Sequence, residues 1–237
     1  MNILFLMKCY AVGGIEVVTA TLASCFARHG HKVVIATFEA PEALTVARTD
    51  DSVKIYTLWD YKCTNQNIVA LRNLLIEHQI QVVINQWGLP LVSCRVLNKA
   101  KKGLKVKTIA VYHNQVDTNA RIKNVEIALE GCVKPLKRSL LKLKKAAFKF
   151  VTSRSMAYVY HHTDIYQVLS PSYIPLFSKF TGINHPNHLM VQTNPVTLES
   201  SDFSYSFDKK EKEIIYMGRI DYNQKRVYRV IDTWATL

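Results

Sequence analysis

The apolar positions of the chain alternate between two rhythms. Asn2 to Met7 is a nearly continuous apolar run of buried-strand length, and after Ala11-Val-Gly-Gly14 the residues Ile15, Val18, Leu22 and Phe26 recur at helical spacing. Gly30 stands where that helix should stop, and Lys32-Val-Val-Ile-Ala-Thr-Phe38 reads as a second buried strand. Residues 1–38 therefore predict a βαβ unit with a right-handed crossover. The rhythm continues with strands at Val53 to Leu58, Gln81 to Asn85 and Lys107 to Tyr112, and helices at Asn67 to His78 and Leu91 to Ala100. Strands rich in Val, Ile and Leu, separated by helices, predict an α/β fold: a Rossmann-like parallel sheet with helices on both faces.

Past Tyr112 the pattern shifts. Asp117 to Leu129 reads as a helix, Lys134 to Lys149 as a basic stretch with Leu136, Leu140, Leu143, Ala147 and Phe150 along one side, and Ser153 to His162 as a further helix. Tyr166 to Leu169 returns as a strand, Tyr173 to Thr181 as a helix ended by Gly182, and Leu189 to Thr193 as a last short strand. A first domain is thus expected over residues 1–194 and a polar linker over 195–212. Residues 213–237 read as the start of a second α/β domain: a strand at Glu213 to Met217, a turn at Gly218 to Asp221, and a helix from Lys225 to Leu237.

The composition of the 237 residues, 49% hydrophobic and 21% charged, suits a chain that buries a sizeable core. No apolar run approaches the ~20 residues of a spanning helix, and the N-terminal run is too short, and lacks the preceding basic residues, for a secretory signal. A cytoplasmic location is expected. The five cysteines, Cys9, Cys25, Cys63, Cys94 and Cys132, form neither a CxxC pair nor a zinc-spaced cluster, so reduced thiols are expected. A formal charge of +13 points to an anionic partner. No RNP-like, helix-turn-helix or zinc-finger pattern is present, which disfavours nucleic acid.

Gly13 and Gly14, between a strand and a helix, let backbone N–H groups approach an anion at a helix N-terminus, and Glu16 in the first turn suits the helix dipole. By spacing alone the pair also reads as a plain turn. Glu39 follows the second strand, where a nicotinamide-binding domain keeps its ribose-binding acid, but the third glycine of G-x-G-x-x-G is missing and Glu39 reads as a solvated strand-end residue. Near the other end, Arg219 and Lys225 flank a strand-to-helix turn as two cations suited to a diphosphate, or as ordinary surface charges.

Together these segments resemble family 4 glycosyltransferases, retaining enzymes of the GT-B fold. Residues 1–38 with Gly13-Gly14-Ile15-Glu16 are similar to the family's opening, Tyr216-Met-Gly-Arg-Ile-Asp-Tyr-Asn-Gln-Lys-Arg-Val227 to the start of its second domain, and Asn194-Pro195 to its interdomain connection. The resemblance implies an acceptor domain and a nucleotide-sugar domain with the reaction between them. It implies a diphosphate site at Gly13, Gly14, Arg219 and Lys225, and a catalytic role for His113 in Val111-Tyr-His-Asn114, which by itself reads as a strand-end histidine. Candidate acceptor-side residues are Glu16, Asn85 and Asn114. The expected partners are a nucleotide-sugar donor and a saccharide or lipid-linked acceptor, with no cofactor and no metal.

Two departures from the family pattern stand out. The paired glutamates at E-x7-E spacing do not occur before Leu237, so the chain is expected to be a fragment, inactive alone for lack of a donor domain; Arg226 replaces the Gly common after the lysine. The competing expectation is a non-catalytic acceptor- or membrane-binding half that needs a separate donor domain. Lys134, Lys137, Arg138, Lys142, Lys144, Lys145 and Lys149, with no acid among them and a Leu/Phe stripe alongside, are expected to contact an anionic membrane surface; the alternative packs the leucines on the domain core.

Overall fold

The computed structural model describes residues 1–197, 213, 215, 216, 218, 220 and 227–236. Two compact units divide the chain, Met1–Asp117 with Phe150–Thr197 and Thr118–Lys149 with Leu198–Leu237.

The first unit holds a seven-stranded, wholly parallel sheet. Its strands are β1 (Asn2–Met7), β2 (Lys32–Thr37), β3 (Lys54–Thr57), β4 (Val82–Asn85), β5 (Lys107–Tyr112), β6 (Ile165–Val168) and β7 (Leu189–Val191). Their order is β3-β2-β1-β4-β5-β6-β7, so the chain reverses direction across the sheet between β1 and β4. Its helices are α1 (Gly14–Arg28), α2 (Ala43–Val46), α3 (Asn65–Glu77), α4 (Leu91–Ala100), α7 (Tyr173–Thr181) and the second half of α6 (Pro135–His161), while the second unit holds α5 (Ala120–Glu130), the first half of α6 and α8 (Val227–Trp234) among the described residues. The Rossmann-like parallel sheet expected from the apolar runs is the observed fold. Gly182 terminates α7 at φ +78°, a left-handed position that glycine adopts without a Cβ penalty.

Alternate residues of each strand go to opposite faces. Leu4, Leu6, Val34, Ala36 and Val83 pack with Leu71, Leu75, Val96 and Leu97 of α3 and α4, and Ala110, Tyr112, Tyr166 and Val168 continue that face against Met156, Val159, Tyr160 and Phe177. On the other face, Ile3, Phe5, Met7, Val33 and Ile35 lie under Ala20 and Ala23 of α1. Over β4, β5 and β6, Ile84, Ile109 and Gln167 of this second face are only half-buried.

One rim of the sheet is closed by side chains. At the N-terminal ends of the strands, Asn2 N donates to Gln81 Oε1 (3.0 Å) and Asn2 Nδ2 to the His78 carbonyl (2.9 Å). Asp164, entering β6, accepts from Thr108 N (2.9 Å), Thr108 Oγ1 (2.8 Å) and Lys107 Nζ (3.2 Å). Burial works to raise its pKa, but the bonds from Thr108 and Lys107 and the nearby Lys101 outweigh it and hold the carboxyl at about 2.

One expectation changes. The basic stretch and the helix expected after it are a single 27-residue helix, α6, because nothing from Phe150 to Ser153 interrupts it: there is no Gly or Pro. Of the strand and turn expected at 213–221, Glu213, Ile215, Tyr216, Gly218 and Ile220 are described and none of them is in a strand, the others lying outside the described residues; α8 stands where the following helix was expected.

Candidate functional site

In open parallel sheets ligands bind beyond the C-terminal ends of the strands, where the strand order reverses. Here that place lies beyond β1 and β4. Asn85 ends β4 and Gln86 follows it, both buried, and Gln86 N donates to the Leu6 carbonyl (2.9 Å), which fixes the β4 exit against β1. His113 follows β5. Its Nε2 lies 2.7 Å from Gln86 Oε1, so a neutral imidazole donates to Gln86 from Nε2 and keeps a lone pair on Nδ1. Burial pushes the His113 pKa down to about 4, with the Asn194 side chain acting in the opposite direction, and the ring is uncharged at neutral pH.

The β4 exit is clamped to β5 by a glycine. Gly88 N donates to the Val111 carbonyl (2.9 Å), and a Cβ on Gly88 would lie 2.6 Å from that same oxygen. Only a residue without a side chain brings the two backbones this close.

Among the described residues, Asn85 Nδ2, Trp87 Nε1 and His113 Nδ1 are buried on this rim without a hydrogen-bond partner. The Asn85 carboxamide is oriented by its own loop, its Oδ1 accepting from Trp87 N (3.2 Å). Buried polar groups are normally paired, because an unpaired one costs about 1–3 kcal/mol. Two donors and one acceptor unpaired on one rim are a set suited to hydroxyl groups. A cavity of about 580 Å³ runs between Val18, Leu22 and Phe26 of α1 and Ile84, Ile109 and Val111 of the sheet, with Gln86, His113 and Asn194 on its wall; of the three residues with an unpaired atom, His113 is the one that lines it.

Gly13 and Gly14 lie at the start of α1, Gly13 as its extended N-cap residue without a side-chain cap. Glu16, one turn in, is buried, and its carboxylate lies in the space a Gly13 side chain would need. The anion beside this helix N-terminus is thus the protein's own carboxylate. It approaches Cys9 Sγ (3.7 Å), and burial, then Glu16 and Glu39, raise the Cys9 pKa. Glu39 itself pairs with Lys8 (3.0 Å). Asn114 is exposed beside His113. Arg219 and Lys225 lie outside the described residues. Among the described residues no three His, Cys, Asp or Glu side chains converge as a metal site would require.

The structure thus joins His113 to Gln86 and places Asn85 and the glycine turn of α1 beyond adjacent strands of the same rim. Sequence reading missed Gln86, Trp87 and Gly88. The Gln-Trp-Gly run straight after a strand was their only local sign. Of the basic residues, Lys145 pairs with Glu126 (2.8 Å), Lys144 lies over the Phe148 ring (5.6 Å) and Arg138 donates to the Cys132 carbonyl (3.4 Å), while Lys149 is half-buried. Lys134, Lys137 and Lys142 are exposed with no acid in ion-pair range among the described residues.

Residues 12–180 match the sequence model of Glycosyltransferase Family 4. No curated protein matches the chain. Among solved structures, apo UGT2 of Phytolacca americana is similar at a TM-score of 0.50 and 10% identity, over 84% of this chain and 53% of that one. UGT2 complexed with UDP-2fluoro-glucose and pterostilbene gives 0.48 and 11% over 85% and 56%, and a glycosyltransferase from Rickettsia africae ESF-5 gives 0.40 and 10% over 83% and 69%. At these identities the likeness concerns the fold alone, and the chain spans about half the length of the UGT2 structures.

Proposed function

The chain belongs to glycosyltransferase family 4, and from that premise we propose that its first 194 residues are the acceptor-side lobe of an enzyme that moves a sugar, with retention, from a nucleotide-diphosphate sugar to a saccharide or lipid-linked acceptor in cell-surface polysaccharide or glycolipid synthesis. Residues 195–212 act as the linker and 213–237 as the opening of the donor lobe.

The observation that carries this reading is the neutral His113 held by Gln86 among unpaired buried donors on the switch-point rim. Sugar hydroxyls are both donors and acceptors, and a rim offering an imidazole lone pair with two N–H donors pairs them without a net charge. Asn85 Nδ2 and Trp87 Nε1 donate to hydroxyl oxygens, His113 Nδ1 accepts a hydroxyl proton, and the Glu16 carboxylate accepts from the α1 side. As the bond to the leaving diphosphate breaks, negative charge grows on its oxygens. Arg219 and Lys225 are the cations proposed to stabilise it, as preorganised charges do, and the amides of Gly13 and Gly14 join them when the Glu16 carboxylate turns from the α1 N-terminus to the acceptor hydroxyls.

The test is sugar transfer from a panel of UDP- and GDP-sugars, with the donor lobe supplied as a separate polypeptide and the product anomer read by NMR. Transfer with retained configuration is expected, and His113→Ala should lower turnover about 100-fold, the usual cost of one aligned group. Undiminished turnover in that variant would overturn the assignment of the site, and saccharide binding with no transfer under any donor would leave a binding half instead.

A further inference from the structure

We propose that the first half of α6 is a docking surface that lays a leucine stripe into the interface of an anionic bilayer. The leucines of the basic stretch do not serve a core. Leu136, Leu140 and Leu143 are 78%, 60% and 68% exposed. At 100° per residue, Leu136, Leu140, Leu143 and Ala147 fall within an arc of about 60°. The half-buried Leu141, Lys145 and Phe148 occupy the opposite arc, where Lys145 meets Glu126 of α5. The helix therefore packs by one side and presents its leucines on the other, and Val133, 93% exposed, extends the apolar surface at the entry.

The charge of this segment selects the occupant. Lys137 and Lys144 flank the stripe on one side and Lys142 on the other, and the segment from Lys134 to Lys149 contains no acid. An apolar strip between lysines fits a bilayer interface, where aliphatic side chains enter the acyl boundary while the long cationic side chains reach back to the phosphates. A nucleic acid would meet the same lysines but give the leucines nothing to bury against. No helix among the described residues is long and apolar enough to cross a membrane, so α6 lies on the surface and does not span it. The proposal is independent of the transfer chemistry, because it concerns neither His113 nor any residue of the sheet rim.

The test is cosedimentation of the full chain with vesicles of phosphatidylcholine alone and of phosphatidylcholine with about one-third phosphatidylglycerol. The chain should bind the anionic vesicles and not the neutral ones. Lys137→Gln, Lys142→Gln and Lys144→Gln together should weaken partitioning about 100-fold, at roughly fivefold per cation. Leu136→Ser, Leu140→Ser and Leu143→Ser together should weaken it at least about tenfold, since the inserted apolar area is lost. These positions face away from the packed side, so circular dichroism should be unchanged; if the triple variant loses helix, Leu140→Ser alone should still bind about threefold less. Equal binding to neutral vesicles, binding to neither, or leucine variants that bind like the parent chain would overturn the proposal. So would duplex DNA that is held by the same lysines and excludes the vesicles.

Discussion

Replacing Gly88 by Ala tests how the site is built. The added methyl would stand 2.6 Å from the Val111 carbonyl oxygen, 2.8 Å from its carbon and 3.1 Å from its nitrogen. All three atoms are backbone of β5, which is paired on both sides, so no flexible side chain can swing away. Ordinary contact begins near 3.4 Å, which leaves a shortfall of about 0.8 Å at the oxygen. Relieving it by moving the β4 exit strains the packing, at about 1–3 kcal/mol, and breaks the Gly88 N to Val111 O bond, at about 1 kcal/mol. The sum, about 2–4 kcal/mol, corresponds to a fall in melting temperature of roughly 4–16 °C for a chain of this size. Thermal unfolding followed by tryptophan fluorescence suits the purpose, because Trp87 adjoins the substitution. Gly14→Ala is the control: no atom lies within 4 Å of its built Cβ and the residue opens a helix, so the change should be neutral or add about 0.4–1 kcal/mol. If both variants melt with the parent protein, the close approach at Gly88 does not hold the rim together.

Two further predictions concern buried groups. Burial lowers the His113 pKa to about 4, below the ~6.5 of an unfolded histidine, so the unfolded chain takes up the proton first; its contribution is present above pH ~6.5 and is lost as the pH falls toward 4, by at most about 3 kcal/mol. Denaturant midpoints from pH 7 to 4.5 should fall more steeply in the parent than in His113→Gln, and parallel profiles would refute the shift. Tyr166, fully buried with an unpaired hydroxyl and a pKa raised by that burial, should tolerate Phe with no loss or a gain of about 1 kcal/mol; chemical denaturation checks this, and a loss above about 1 kcal/mol would show that the hydroxyl has a partner after all.

The sheet was legible in the sequence because a strand covered on both faces has no polar alternation to obscure it: Ile3 to Met7 and Val33 to Ala36 read directly as core. The unity of α6 was less plain. The helix packs Met156, Val159 and Tyr160 in its second half but exposes Leu136, Leu140 and Leu143 in its first, so its apolar face changes direction and reads as two elements. His113 was visible as a strand-end residue that the family resemblance singled out. Its partner Gln86, 27 residues away, was not, because the pairing arises only where two strands lie side by side. Gly88 was silent for the same reason: what it makes room for is the backbone of another strand.

The two rims of the sheet differ in what they leave unpaired. Below, Asn2, Gln81, Thr108 and Asp164 pair with one another or with the strand entries, while above, Asn85, Trp87 and His113 each keep a buried polar atom without a partner among the described residues. At Trp87 a Phe would remove the orphaned N–H and nothing else polar, whereas an apolar residue at His113 or Asn85 would also leave Gln86 Oε1 or Trp87 N without its partner. A directed-evolution campaign rewarding heat tolerance alone would therefore reach Trp87 first, and its sturdier descendants would have given up a recognition group.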